Sequence, residues 1–325
     1  MKKIFFIDKK VLLLQKNKKM KKVLLATDKP FSKEASSKIE KIGKDAGLEV
    51  ILLEKYSSKE EFLKAVESVN AIIIRSDIAD KEIIDNAKNL EIIVRAGAGF
   101  DNIDLNAATA KNVIAMNTPG QNSNAVAELA FGMMVMAARG MYNGKTGSEL
   151  RGKTLGLHAY GNVGKYMAMI AKGFGMKVYA FDPFLTDDKI AADDIIPVHS
   201  QEELYKTCQY VSLHIPANEK TKKSINYGLL SLMPKDAILI NTARKEVISE
   251  DCLVKVMTER PDFKYVADVT PDCADVFKEK FAGRYFFTAQ KMGAQTEEAN
   301  VNSGVAAINQ IVDFFKTGNT KFKVN

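Results

Sequence analysis

Cysteine is scarce in this chain: Cys208, Cys252 and Cys273 are the only three in 325 residues. An odd number without C-x-x-C spacing excludes a disulfide framework and gives no zinc pattern. No metal is expected, and the thiols read as reduced, as in the cytoplasm. Long apolar runs are missing as well. No stretch reaches the roughly 18 residues of a membrane helix, and the N-terminal IFFIDKKVLLL is broken by three charges, which spoils it as a secretion-signal core. No membrane partner is expected. The third shortage is of charge in the body of the protein. The formal net charge is +7, yet residues 1–22 hold nine lysines and one aspartate, leaving 38 basic and 39 acidic side chains elsewhere. A near-neutral body offers no basic face to a phosphate backbone, so nucleic acid is not an expected partner. Residues 1–19 read as a disordered basic tail, and MKKVLLATD, opening at Met20, reads as a natural first strand and an alternative start.

What is present is an alternation of short apolar runs with helical stretches. A length of 325 residues suits about two domains. The runs KVLLAT (22–27), EVILLE (49–54), AIIIRS (71–76) and EIIVRAG (91–97) form one series, and VIAMN (113–117) follows. KTLGLHAYG (153–161), KVYAFDP (177–183), YVSLHIP (210–216), AILINTAR (237–244), KYVADV (264–269) and RYFFTA (284–289) form a second. Such runs, separated by helices, indicate two doubly wound α/β domains with parallel sheets, whose ligands sit at the C-terminal ends of the strands. The expected division is 20–103 with 293–325 as one domain and 104–292 as the other. The amphipathic stretch 297–316 is expected to return to the first series.

At 159–164 the chain reads AYGNVG, directly after a strand and opening a helix. This is G-x-G-x-x-G with Ala159 in the first position, followed by Gly161, Asn162, Val163 and Gly164. Glycines allow the backbone to approach a pyrophosphate, whose charge rests at the helix N-terminus. About 20 residues on, Asp182 ends the next strand, where a carboxylate binds ribose hydroxyls. It would repel a 2′-phosphate, so NAD is the expected cofactor.

Several segments in order resemble the D-isomer-specific 2-hydroxyacid dehydrogenase family, most closely its short phosphoglycerate dehydrogenases: VRAGAGFDNID (94–104), NAVAELA (124–130), KTLGLHAYGNVGK (153–165), VSLHIP (211–216), LINTAR (239–244) and KMGAQTEEA (291–299). The resemblance implies two α/β domains with the active site in the cleft. It implies that Arg244 and the amides of Gly97, Ala98 and Gly99 hold the substrate carboxylate, a task for which the guanidinium fork is suited. His214, Pro216, Thr242, Ala243 and Asp268 match cofactor-side positions. Arg75 matches an arginine that reaches a substrate phosphate, and it reads equally as a rim salt bridge. A second arginine of some relatives is Asp77 here.

Most of the family uses a histidine as the proton-transfer base; this chain has Lys291 at that place, as in a smaller branch. None of its histidines substitutes by motif, because His158 lies in the nucleotide-loop strand, His199 precedes QEEL, and His214 matches the cofactor side. A lysine base must lose its proton far below its reference pKa of about 10.4, and burial and the charge of Arg244 both act in that direction. The family's assisting glutamate falls on Cys273, which leaves Asp272 as the nearest acid to orient Lys291. The activity implied is NAD-dependent oxidation of D-3-phosphoglycerate to 3-phosphohydroxypyruvate, the first step towards serine, with glyoxylate or hydroxypyruvate reduction as the close variant. A non-catalytic NAD-sensing interaction protein is the reading from another class. The Ala- and Met-rich segment 122–140 matches the family's dimer-forming region, so a homodimer is expected. No appended regulatory domain is expected.

Overall fold

The computed structural model describes residues 20–325, so the expected basic tail lies outside the described residues. The chain forms two units, one ending at Gln121 and regaining Asn300–Asn325, the other comprising Asn122–Ala299.

In the first unit, β1 (Lys22–Thr27), β2 (Glu49–Glu54), β3 (Ala71–Ile74), β4 (Ile92–Arg95) and β5 (Ile114–Asn117) form a wholly parallel sheet in the order β2-β1-β3-β4-β5. Side chains alternate across a strand, and both faces of this sheet are covered. Leu24, Ala26, Ile72 and Ile74 enter one core. Val23, Leu25, Ala71 and Ile73 enter the other, where Ala307, Ile308 and Ile311 of the helix Glu297–Thr317 meet them. Burying each isoleucine contributes about 1.5–3 kcal/mol. The return of the C-terminal helix to the first strands is therefore driven by its apolar stripe. Helix starts are fixed by side chains: Ser32, Ser58, Asp80 and Asp104 each accept a backbone N–H three residues on.

The second unit holds β6 (Thr154–His158), β7 (Lys177–Phe181), β8 (Ile196–Pro197), β9 (Tyr210–Leu213), β10 (Ile238–Asn241), β11 (Lys264–Ala267) and β12 (Tyr285–Phe287), parallel, in the order β12-β11-β10-β9-β6-β7-β8. The strand order reverses beside β6, the place where an open α/β sheet takes its ligand. The helix Ser123–Ala138 buries Phe131, Met133, Met134 and Ala137 against Leu155, Leu157 and Ile240. Among the described residues no helix is long and apolar enough to cross a membrane.

Two doubly wound parallel sheets are what the alternating runs predict. The division is corrected at both ends. Residues 104–121 belong to the first unit, because β5 pairs with β4 through Ile92–Ile114 and Arg95–Asn117. Residues 293–299 belong to the second, because the turn before the last helix is tied to β11.

Candidate active site

The nucleotide turn follows β6 and opens the helix Asn162–Gly173. Ala159 adopts φ +80°, the left-handed region in which a β-carbon costs about 1–2 kcal/mol. The alanine is therefore strained at the first position of the motif, yet the turn is made. Around Gly161 a β-carbon would meet nothing within 4 Å, leaving room for a ligand to approach the backbone. Gly164 has the opposite constraint: a β-carbon there would lie 2.7 Å from the Ala159 carbonyl oxygen. Gly164→Ala is expected to cost about 1–3 kcal/mol of stability by overpacking and to weaken NADH binding, which a thermal melt and a fluorescence titration check together.

Gly161 is the N-cap and supplies no side-chain cap, so the first amides of the helix are left without a side-chain acceptor, an arrangement that suits an anion. Asp182 stands one residue after β7, its Oδ2 accepting from the Tyr160 amide at 2.9 Å and its Oδ1 from the Phe184 amide at 2.9 Å. These contacts fix the carboxylate beside the turn. The hydroxyl of Ser212 on β9, and Nε2 of His214 and the hydroxyl of Thr242 one residue past β9 and β10, are shielded from solvent with no partner among the described residues. Buried polar atoms without partners are costly. The geometry fits NAD, with Gly161, Asn162, Val163, Gly164 and Asp182 placed to hold it and Pro216 exposed at the end of the β9 run.

Two imidazoles lie behind this turn. The His214 amide donates to the His158 carbonyl at 2.9 Å, and His158 Nδ1 lies 3.2 Å from the Tyr205 hydroxyl. Burial pushes His158 down to about 4 and His214 to about 3. The native rings thus refuse protons that an unfolded histidine accepts below pH ~6.5. Stability is full above that value and falls as pH drops towards 4, with about 3 kcal/mol from His158 alone. Urea midpoints that decline between pH 7 and 4 are the expected result. His199, by contrast, is exposed.

The residues after β10 and β12 come together. Asn241, fully buried, accepts from the Ala243 amide at 3.0 Å and donates to the Arg244 carbonyl at 2.9 Å, so its side chain staples the turn Thr242–Arg244. Arg244 Nη1 donates to the Ala243 carbonyl at 3.0 Å, and among the described residues its other side-chain donors have no protein acceptor. Lys291 Nζ donates to the same Ala243 carbonyl at 3.2 Å, and Lys291 is exposed. Asp272 does not serve as the partner expected for Lys291: its carboxylate pairs with Lys245, while Glu250 accepts from the amides of Asp272 and Cys273. Asp268 is buried and holds the Lys291 turn, through Thr288 and the amides of Met292 and Gly293.

In the first unit, Arg75 is not a rim salt bridge. Its guanidinium donates to the carbonyls of Lys29 and Pro30 and to Asn300, and lies 4.9 Å from the Phe31 ring centre. Neutral acceptors orient the fork, while the carboxylates of Asp77 and Asp28 lie near enough to act on its charge. Asp77 is a buried anchor, accepting from the Asp28 amide and Tyr56 hydroxyl at 2.7 Å each and from the Arg75 amide. The Gly97–Gly99 turn lies after β4. Gly97 has φ +151°, and a β-carbon there would overlap the Arg95 guanidinium. The Ala98 and Gly99 amides donate to no protein acceptor among the described residues. Arg95, whose Nε donates to the Arg75 carbonyl at 3.0 Å, is a cation beside this turn that the motif reading passed over although VRAGAG contains it. Asn241 was likewise visible in LINTAR and missed.

Two parallel sheets, an uncapped glycine turn at a helix start and a carboxylate at the end of the next strand define an α/β protein of the dinucleotide-binding class. Residues 112–280 match the D-isomer specific 2-hydroxyacid dehydrogenase, NAD binding domain. The chain is 31% identical to hydroxypyruvate reductase of Thermotoga maritima, over 87% of this chain and 95% of that one. It is 31% identical to D-3-phosphoglycerate dehydrogenase of Methanocaldococcus jannaschii, over 89% of this chain but 56% of that longer protein. The crystal structure of NAD+-bound 3-phosphoglycerate dehydrogenase in Entamoeba histolytica superposes with a TM-score of 0.85 and 44% identity, over 94% of this chain and 99% of that one. The chain belongs to the D-isomer-specific 2-hydroxyacid dehydrogenase family, as its motifs suggest, and it is an NAD-dependent enzyme.

Proposed function

We propose that the enzyme oxidises D-3-phosphoglycerate to 3-phosphohydroxypyruvate, with Lys291 taking the proton of the C2 hydroxyl. The observation that carries this reading is the single carbonyl, Ala243, shared by the Lys291 amine and the Arg244 guanidinium. The shared acceptor sets the lysine amine beside the guanidinium. The unused donors of Arg244 suit a carboxylate, and that grip would set the C2 hydroxyl against Lys291. Bound NAD supplies the hydride acceptor at C2. In reduction the Lys291 ammonium returns the proton to the carbonyl oxygen. The amides of Ala98 and Gly99 are proposed to share in holding the carboxylate, and Arg75 to take the phosphate.

Hydroxypyruvate or glyoxylate reduction is the second reading, favoured by the Thermotoga maritima relative, which is matched over 95% of its length. NADH oxidation with each of the three oxo acids separates the readings. Under the first, Arg75→Gln is expected to raise KM for 3-phosphohydroxypyruvate about tenfold or more, since a charged hydrogen bond contributes about 1.5–3 kcal/mol, and to leave hydroxypyruvate nearly unaffected. Equal loss on both substrates would return Arg75 to a structural role. A homodimer through the 122–140 region is also proposed. Met133 and Met134 are spent in the chain's own core, so a second copy would meet residues such as half-buried Met136 and exposed Glu128 and Arg139.

A further inference from the structure

We propose that Tyr160 and Asp193 are positioning residues for the dinucleotide, a strut that holds the alanine-bearing turn after β6 in the shape the cofactor needs. The turn departs from glycine at its first position, and Ala159 sits at φ +80°, where an L side chain is disfavoured. Something must hold it there. Part of the restraint is backbone: the Ala159 amide donates to the Phe181 carbonyl at 2.9 Å, one residue past the β6–β7 pairing. The Tyr160 amide then donates to Asp182 at 2.9 Å. Adjacent side chains at a strand end point to opposite faces of the sheet, and both faces are used. Ala159 packs against the core that contains Leu204 and Leu213. The Tyr160 ring, 1% exposed, enters the core that contains Met167 and Ala168 of the helix Asn162–Gly173.

The tyrosine hydroxyl supplies the far end of the strut, donating to Asp193 Oδ2 at 2.9 Å. Asp193 lies between β7 and β8, outside the glycine motif, and it also meets the helix that the turn opens. Its carbonyl accepts from Lys172 Nζ at 3.0 Å, and its carboxylate lies 3.7 Å from Lys165 Nζ. One residue thus ties the turn to the first and last parts of that helix. A phenylalanine at 160 would fill the same space in the core without the bond. With a restraint gone, the strained turn spends less time in the shape that presents the Gly161 backbone and Asp182, and the apparent cofactor affinity falls with the competent fraction.

The test measures the NADH Kd by fluorescence titration, and the thermal midpoint, on the full chain. It compares wild type with Tyr160→Phe, Asp193→Ala, Asp193→Asn and Ala159→Gly, and with Tyr160→Phe combined with Asp193→Ala and with Ala159→Gly. Tyr160→Phe and Asp193→Ala are each expected to raise the Kd about three- to tenfold, the scale of one hydrogen bond to a charged group. Their double variant is expected to lose no more than the larger single change, because both remove the same bond. Asp193→Asn keeps an acceptor and is expected to lose less than Asp193→Ala. Ala159→Gly is expected to bind NADH at least as tightly as wild type and to reduce the cost of Tyr160→Phe to less than about twofold, since glycine adopts this conformation without a strut. Tyr160→Phe keeps the ring in the core, so the comparison with Ala159→Gly survives a failure of Asp193→Ala to fold. Equal losses from Tyr160→Phe with and without Ala159→Gly would overturn the proposal. So would a lowered thermal midpoint at unchanged Kd, which would make the pair a structural tie alone. Tighter NADH binding by Asp193→Ala would also overturn it, showing that the carboxylate acts by holding back the charge of Lys165.

Discussion

Lys291→Ala is expected to lower kcat by about 10²–10⁴-fold, the usual contribution of a positioned acid or base, and to leave NADH affinity within about twofold. The separation of the two effects follows from the geometry. Lys291 reaches the Ala243 carbonyl at the end of β10, whereas the glycine turn and Asp182 that fit the dinucleotide sit after β6 and β7. Because the amine leaves a turn fixed by Asp268 and Thr288, truncating it removes a proton carrier without removing the support of the backbone. Steady-state rates and NADH fluorescence titration on the same preparations check both parts.

Arg244→Lys is expected to raise KM for the oxo acid by about 10²-fold, with a smaller fall in kcat. A lysine keeps the charge but lacks the paired donors that match a carboxylate, and a charge-assisted bidentate contact is worth more than a point charge in the same place. The buried Asn241 side chain fixes the turn on both sides of Arg244, so the backbone is expected to survive the change. A variant with wild-type KM would show that the guanidinium does not hold the substrate. The sign of the kcat change is also informative, because the substitution removes the guanidinium that shares the Ala243 carbonyl with Lys291.

The strands were readable because a sheet covered on both faces writes continuous apolar runs, such as the fully buried AIII of β3. Their ends were less so. Nearly every run in the second series extends past its strand, since residues such as Thr242 and Asp268 are buried just beyond the strand ends and mimic core. β8 is two residues long and carries no such signal. The unit boundary was misplaced because β5 reads the same whichever sheet it joins; only its pairing with β4 decides. Lys291 and Arg244 were legible from spacing and motif order. The partner of Asp272 was not, since Lys245 is 27 positions away and one side chain's choice among nearby groups leaves no pattern in the chain. Arg95 and Asn241 were overlooked for a related reason: their bonds run from side chain to backbone, which composition and periodicity do not record.

The most direct measurement is the pH dependence of the oxidation rate at saturating NAD, for wild type and for Lys291→His. A lysine base must be neutral to accept the hydroxyl proton, so the wild-type rate is predicted to keep rising into the alkaline range, with the histidine variant levelling off near neutrality. Profiles that coincide, or a wild type that peaks near neutral pH, would contradict the assignment of proton transfer to Lys291.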